Sequence, residues 1–183
     1  MRNKTALLAI PIITLVIISL FTISYVISSA LSFPFSLGFP PIVRLIGLVV
    51  LAAGLSVMSW VFTKRGAAEV MISTYVTFVK MAKRAKLEEV SDREESLVIE
   101  GPYRYVRHPL YFGVVVMVVG WALLTSYSFI FVAIPVVFVF LTYVIARFEE
   151  KELRALFGAQ YEAYSRDVPM MLPFTKLRKQ TNR

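Results

Sequence analysis

A chain of 183 residues that is 57% hydrophobic and 17% charged is too apolar for a soluble domain of that length. It has no cysteine, which excludes disulfides, thiolate nucleophiles and Cys-ligated metals, and one histidine, which argues against a His-based zinc or haem site. A net charge of +8 raises nucleic acid as a partner, but the positions of the charges point to lipid headgroups instead.

Two uncharged runs open the chain, Leu7 to Leu31 and Leu45 to Phe62. Each approximates the roughly 20 residues a helix needs to cross about 30 Å of hydrocarbon. The first exceeds a signal-peptide core and lacks a small-x-small cleavage site before more membrane sequence, so it reads as a span. Between the two, "SFPFSLGFPP" is apolar and proline-rich and is expected to hug the outer interface. Gly66 to Val79 has an apolar face and basic residues gathering beyond it. It is short for a span, and a crossing there would break the charge asymmetry, so it reads as an interfacial or partly inserted helix. "LEEVSDREES" is a solvated charge cluster, and "LVIEGPY" an extended stretch with a turn at Gly101-Pro102.

Pro109 to Ala146 is again uncharged, too long for one span and suited to two, with "TSYS" (Thr125 to Ser128) as the turn. An amphipathic helix comes next, with Leu153, Phe157, Tyr161 and Tyr164 on one stripe, ending before Val168-Pro169 and a basic tail "TKLRKQTNR". The expected fold is an all-α integral membrane protein with about four transmembrane helices and a possible fifth short or interfacial helix. Residues 1–63 form an N-terminal helix pair, and residues 64–183 carry the interfacial helix, the second hairpin and the C-terminal helix. With four spans, every Lys and Arg except Arg44 falls on one side, together with all the acids. The positive-inside rule makes that side the cytoplasm, with both termini there.

The segment "GPYRYVRHPLYFG" packs the only histidine, two arginines and three tyrosines against the start of the third span. Pro109 suits the first turn of a helix, which puts His108 at its N-terminus, where free N–H groups and the helix dipole favour an anionic group. Arg104 and Arg107 strengthen that field. Interfacial anchoring accounts for any one of these side chains, though less well for their density beside Gly101, Pro102, Pro109 and Gly113. Where the apolar run ends, "ARFEEKEL" presents Glu149 and Glu150, about 100° apart on a helix. Glu150 has Arg154 four residues on, which suggests a surface ion pair. Glu149 has no local cation and needs a partner from elsewhere. No G-x-G-x-x-G or G-x-x-x-x-G-K-[ST] occurs, and no Ser-His-Asp arrangement is compelling. A basic, aromatic mouth with acids from the next helix suits a ligand with charges and a flat ring, held against an apolar substrate from the bilayer.

From Leu97 to Phe174 the chain resembles the isoprenylcysteine carboxyl methyltransferase and phospholipid methyltransferase superfamily. The resemblance rests on R-H-P-x-Y-x-G in "RHPLYFG", an apolar hairpin, then E-E and F-G-x-x-Y-x-x-Y in "FGAQYEAY". It implies S-adenosyl-L-methionine as methyl donor, bound without a Rossmann fold between the last spans and the cytoplasmic tail. The implied cofactor contacts are Leu97, Val98, Tyr103, His108, Pro109, Leu110, Tyr111 and Glu149. The lipid-binding arginine of the prenylcysteine enzymes falls on Ile145, and Arg147, two positions later, is the substitute for holding substrate.

A sulfonium is already an electrophile, so the resemblance asks mainly for alignment and desolvation. A carboxylate acceptor needs a cation such as Arg107 or Arg147. An amine acceptor must lose a proton, to Glu149 or Glu150. Isoprenylcysteine carboxyl O-methylation is the leading expectation, with a lipophilic or prenylated acceptor and no metal or nucleic acid. Methylation of a phospholipid amine is the first alternative. An NADPH-dependent sterol or enone reductase is another, although Leu110 and Val114 stand where that group has Asn and commonly an acid. A non-enzymatic membrane subunit is the plainest.

Overall fold

A computed structural model describes residues 2–83 and 97–173, with side chains at 7–81 and 97–173. The charge cluster "LEEVSDREES" and the tail "TKLRKQTNR" lie outside the described residues. The elements are α1 (Arg2–Ala30), α2 (Pro41–Arg65), α3 (Ala67–Lys83), a 3₁₀ turn (Gly101–Arg104), α4 (Pro109–Thr125), α5 (Ser128–Val139), a π-helical stretch (Phe140–Ala146) and α6 (Arg147–Asp167). Among the described residues there is no strand, only an isolated bridge between Ser36 and Tyr127. In hydrocarbon a backbone must satisfy its own polar groups, which a helix does internally. Three helical segments are long and apolar enough to cross a membrane: Leu7–Ala30, Pro41–Arg65 and Ser128–Asp167. The helix Pro109–Thr125 is also apolar, and shorter. Their outward surfaces carry residues such as Leu15 and Val49, 66% and 64% exposed, which only lipid would cover favourably.

Prolines start two of the helices: Pro41 and Pro109 occupy the first turns of α2 and α4, where the missing N–H costs nothing. At the far end α4 stops at Ser126, in the left-handed conformation with φ 64°. The first loop docks on this turn. Leu37 N–H donates to Ser126 O at 2.8 Å, Ser128 N–H donates to Phe35 O at 3.2 Å, and the Phe35 and Tyr127 rings lie 4.9 Å apart. Both hairpin turns therefore share one end of the molecule.

The tightest packing is between α2 and α4, which run antiparallel. A Cβ added at Gly120 would lie 2.3 Å from Leu51 N, one at Gly47 2.5 Å from Leu124 N, and one at Gly54 2.7 Å from Met117 N. These backbones touch with no side chain between them. In lipid, where apolar burial no longer drives association, such contact is what holds helices together. α1 packs along α5 and α3, with Ser28 and Ser128 hydroxyls 3.0 Å apart. Val118, Ala122, Ile130 and Ala133 form the core between α4 and α5.

The amphipathic C-terminal helix is a continuation of the last span. Through the π-helical stretch the backbone bonds reach five residues back, Arg147 N–H to Thr142 O, which widens the turn and rotates α6 relative to α5. Inside α6 the helix breaks at Gly158, φ 45° and ψ −124°, a conformation L side chains rarely adopt. The apolar stripe alone predicts one uninterrupted helix here. α3 lies against α1 and α2.

Gly120→Val is expected to destabilise the detergent-solubilised protein by the roughly 1–3 kcal/mol typical of overpacking or more, which a lower melting temperature would report. Val49→Ala, on an exposed face, serves as the neutral comparison. A Gly120→Val protein as stable as the parent would remove the α2–α4 contact as the framework of the fold.

Candidate active site

α4 and α6 meet at the end of the molecule opposite the hairpin turns, and His108 joins them. As N-cap of α4, His108 is held by its own backbone: its N–H donates to Met170 O at 3.1 Å, and Arg107 N–H donates to Pro169 O at 2.9 Å. The segment after α6 thus pairs with the residues before α4. Between them the imidazole is buried, its Nδ1 3.4 Å from Glu149 Oε2 and its Nε2 3.5 Å from Glu150 Oε1. The two carboxylates diverge on α6 as helix geometry demands, and one flat ring with a nitrogen on each side reaches both.

Each glutamate has further partners. Glu149 Oε1 accepts from the Tyr111 hydroxyl at 2.8 Å and from the Thr77 hydroxyl at 3.3 Å. Glu150 Oε1 is 2.6 Å from Arg107 Nη2, and its Oε2 is 3.5 Å from Arg154 Nη2. The sequence made Glu150 the carboxylate of a surface ion pair. The Arg154 contact exists, but Glu150 is only 7% exposed and its closer partner is Arg107, because α6 turns that face inward onto the segment before α4. Arg107 also donates through Nη1 to Ser165 O at 2.6 Å and Val168 O at 3.2 Å, fastening the far half of α6. Tyr164 adds a second fastening, its hydroxyl donating to Tyr103 O at 2.7 Å.

A cleft of about 890 Å³, counting its open mouth, lies beside this junction. Leu97, Val98, Tyr103, Arg107, His108, Pro109, Leu110, Tyr111 and Glu149 all line it. All eight residues singled out for cofactor by resemblance therefore share one space. Glu150 stands behind His108 and Arg107 and does not line the cleft. Arg147 is elsewhere: it is exposed, with its guanidinium 4.4 Å over the Tyr143 ring, and Ile145 is buried.

Sequence reasoning missed the contribution of α3. Val70, Ser73 and Thr74 form part of the cleft wall, Thr77 reaches Glu149, and Lys80 forms an ion pair with buried Glu152. A signal was present: Ser73, Thr77 and Lys80 recur at spacings of four and three, a polar stripe on an otherwise apolar helix. The C-terminal stripe Leu153, Phe157, Tyr161 and Tyr164 forms the opposite wall. Among the described residues there is no cluster of three potential metal ligands.

Burial alone would push the His108 imidazole's pKa down, but the flanking Glu149 and Glu150 carboxylates outweigh it and the net direction is up. A raised folded value stabilises the protonated fold below the unfolded pKa of about 6.5, and that contribution disappears as pH rises through the folded value. Because His108 is the chain's only histidine, it is the only imidazole that can titrate in this range. Melting temperature should fall with pH above about 6.5 in the wild type and show less of this fall in His108→Gln. Parallel slopes for the two proteins would separate the imidazole from the effect.

Comparison with known proteins identifies a family and several relatives. Methanethiol S-methyltransferase of Crocosphaera subtropica is 38% identical over 72 residues, 39% of this chain and 27% of that protein. Methanethiol S-methyltransferase of Mycobacterium tuberculosis is 36% identical over 72 residues, 39% of this chain and 28% of its own length. Methanethiol S-methyltransferase 1 of Bradyrhizobium diazoefficiens is 31% identical over 74 residues, covering 40% and 25%. The chain thus spans under a third of the length of these curated relatives. No solved structure matches it. Residues 42–160, from α2 through the first two thirds of α6, match the family described as phospholipid methyltransferase, and the chain belongs to that family.

Proposed function

We propose that the chain is an integral membrane methyltransferase that takes its methyl group from S-adenosyl-L-methionine held in the cleft and delivers it to a lipophilic acceptor. The observation that carries this reading is the convergence of Leu97, Val98, Tyr103, His108, Pro109, Leu110, Tyr111 and Glu149 on one cleft, in a chain of a methyltransferase family. The cleft has the expected mix of apolar wall and few fixed polar groups of a small-molecule site. The residues fit the cofactor. Leu97, Val98 and Leu110 offer apolar surface to a flat base. Glu149, oriented by Tyr111 and Thr77, offers a carboxylate to a cationic or hydroxylated group. S-adenosylmethionine bound there supplies a methyl group already activated by its positive sulfur. The protein's part is to exclude water and align the acceptor.

The acceptor we favour needs no base at the moment of transfer. Glu150 is held by Arg107 and Arg154, and Glu149 already accepts from two hydroxyls, so neither is poised to deprotonate an amine. That weighs against a phospholipid amine and for the carboxylate of an isoprenylcysteine, the acceptor the resemblance implies. A thiol is a second reading, favoured because the three relatives are named as methanethiol methyltransferases. Arg147, outside the cleft, is then a contact for a lipid or for the outer part of a large acceptor. The methyltransferase family match gives no support to the NADPH-dependent reductase.

We place four crossings in the membrane, α1, α2, α4 and α5. The cleft end and both termini are cytoplasmic, because the basic residues other than Arg44 gather there. S-Adenosylhomocysteine should raise the melting temperature of the purified protein and NADPH should not, since a ligand bound only by the folded state must stabilise it. Glu149→Ala should abolish that rise. Radiolabelled S-adenosylmethionine should then label N-acetyl-S-farnesylcysteine or a hydrophobic thiol and leave phosphatidylethanolamine unlabelled. Absence of any response to S-adenosylhomocysteine would overturn the reading.

A further inference from the structure

We propose that Arg107 Nε and the Tyr161 hydroxyl are a pair of donors in the cleft wall that take a carboxylate. The assignment rests on the methyltransferase reading and adds to it a binding residue from the far half of α6, outside the R-H-P-x-Y segment. Both residues line the cleft, and both atoms are buried without a hydrogen-bond partner among the described residues. The other buried polar atoms at this junction face one another: His108 Nε2 lies 3.5 Å from Glu150 Oε1, which Arg107 Nη2 meets at 2.6 Å. Arg107 Nε can only donate and the Tyr161 hydroxyl can donate beside it, so one acceptor group would satisfy both. Two donors match the two oxygens of a carboxylate, whereas an ammonium group would find an acceptor only in the Tyr161 hydroxyl and none in Arg107.

Neither donor can easily turn elsewhere. Arg107 is fixed by Glu150 and by the carbonyls of Ser165 and Val168, which commits both of its terminal nitrogens and leaves Nε. Tyr161 is fully buried, its ring edge-on to Tyr164 at 5.9 Å. Phenylalanine would fill that space without burying a hydroxyl, so packing alone does not explain the oxygen. Tyr164, three residues on, commits its own hydroxyl to Tyr103 O. The carboxylate can belong to the amino-acid end of the S-adenosyl compound or to the acceptor.

The full chain in detergent, as wild type and as Tyr161→Phe, separates these sources. By isothermal titration the wild type should bind S-adenosylhomocysteine about tenfold or more tighter than its decarboxylated counterpart, the usual worth of a hydrogen bond to a charged group. Tyr161→Phe should narrow that preference by weakening only the carboxylated ligand, which puts the carboxylate on the cofactor. If the preference is untouched and the KM for N-acetyl-S-farnesylcysteine rises instead, the carboxylate is the acceptor's. A Tyr161→Phe protein unchanged in both ligand preference and acceptor KM overturns the pairing and makes the hydroxyl structural. A wild type that binds neither S-adenosyl compound fails before the variant is compared, and sinks the cofactor reading itself together with this assignment.

Discussion

One imidazole between two adjacent carboxylates is the contact on which the site depends. Consecutive residues on a helix point about 100° apart, so Glu149 and Glu150 cannot both face a common ligand. His108 resolves this by presenting a nitrogen to each, 3.4 Å and 3.5 Å away. That fixes the start of α4 against α6 and divides the acids between two tasks. Glu149 is left facing the cleft with Tyr111 and Thr77, while Glu150 is drawn behind it to Arg107. Arg107 in turn fastens the chain beyond Gly158, so the far wall of the cleft is set by the residue next to the histidine.

This junction needs a rigid base, and the α2–α4 contact provides it. Glycines on both helices bring the backbones together at the distances where a side chain would clash. Pro109 starts α4 at the cleft, and Ser126 ends it under the first loop. The membrane thereby does two things for the site. It forces the chain into helices, and it leaves close backbone packing as the force that orients them.

The π-helical stretch gives the last span a particular role. By widening the turn ahead of Arg147 it changes which face of α6 meets α4. Arg147, read from the sequence as a substrate residue, comes out on the exposed side over Tyr143, and Glu150 comes in. The break at Gly158 then bends the rest of α6 so that Tyr161 and Tyr164 return to the cleft.

Much of this was legible in the sequence. Uncharged runs separated by turn residues fix the apolar helices, because the cost of charge in hydrocarbon is large and local in sequence. The proline after His108 fixes where α4 begins, and the spacing of Leu153, Phe157, Tyr161 and Tyr164 fixes one wall of the cleft. Even the need of Glu149 for a distant partner is written in its neighbours. Other features depend on contacts between residues far apart in the chain, and no local pattern encodes them. That α3 walls the cleft with Val70, Ser73 and Thr74 and reaches Glu149 through Thr77, that Glu150 is buried on Arg107, and that Arg147 faces away were decided only when α3, α4 and α6 packed together. A periodic stripe says that a helix has a face to bury. Only the tertiary structure says against what.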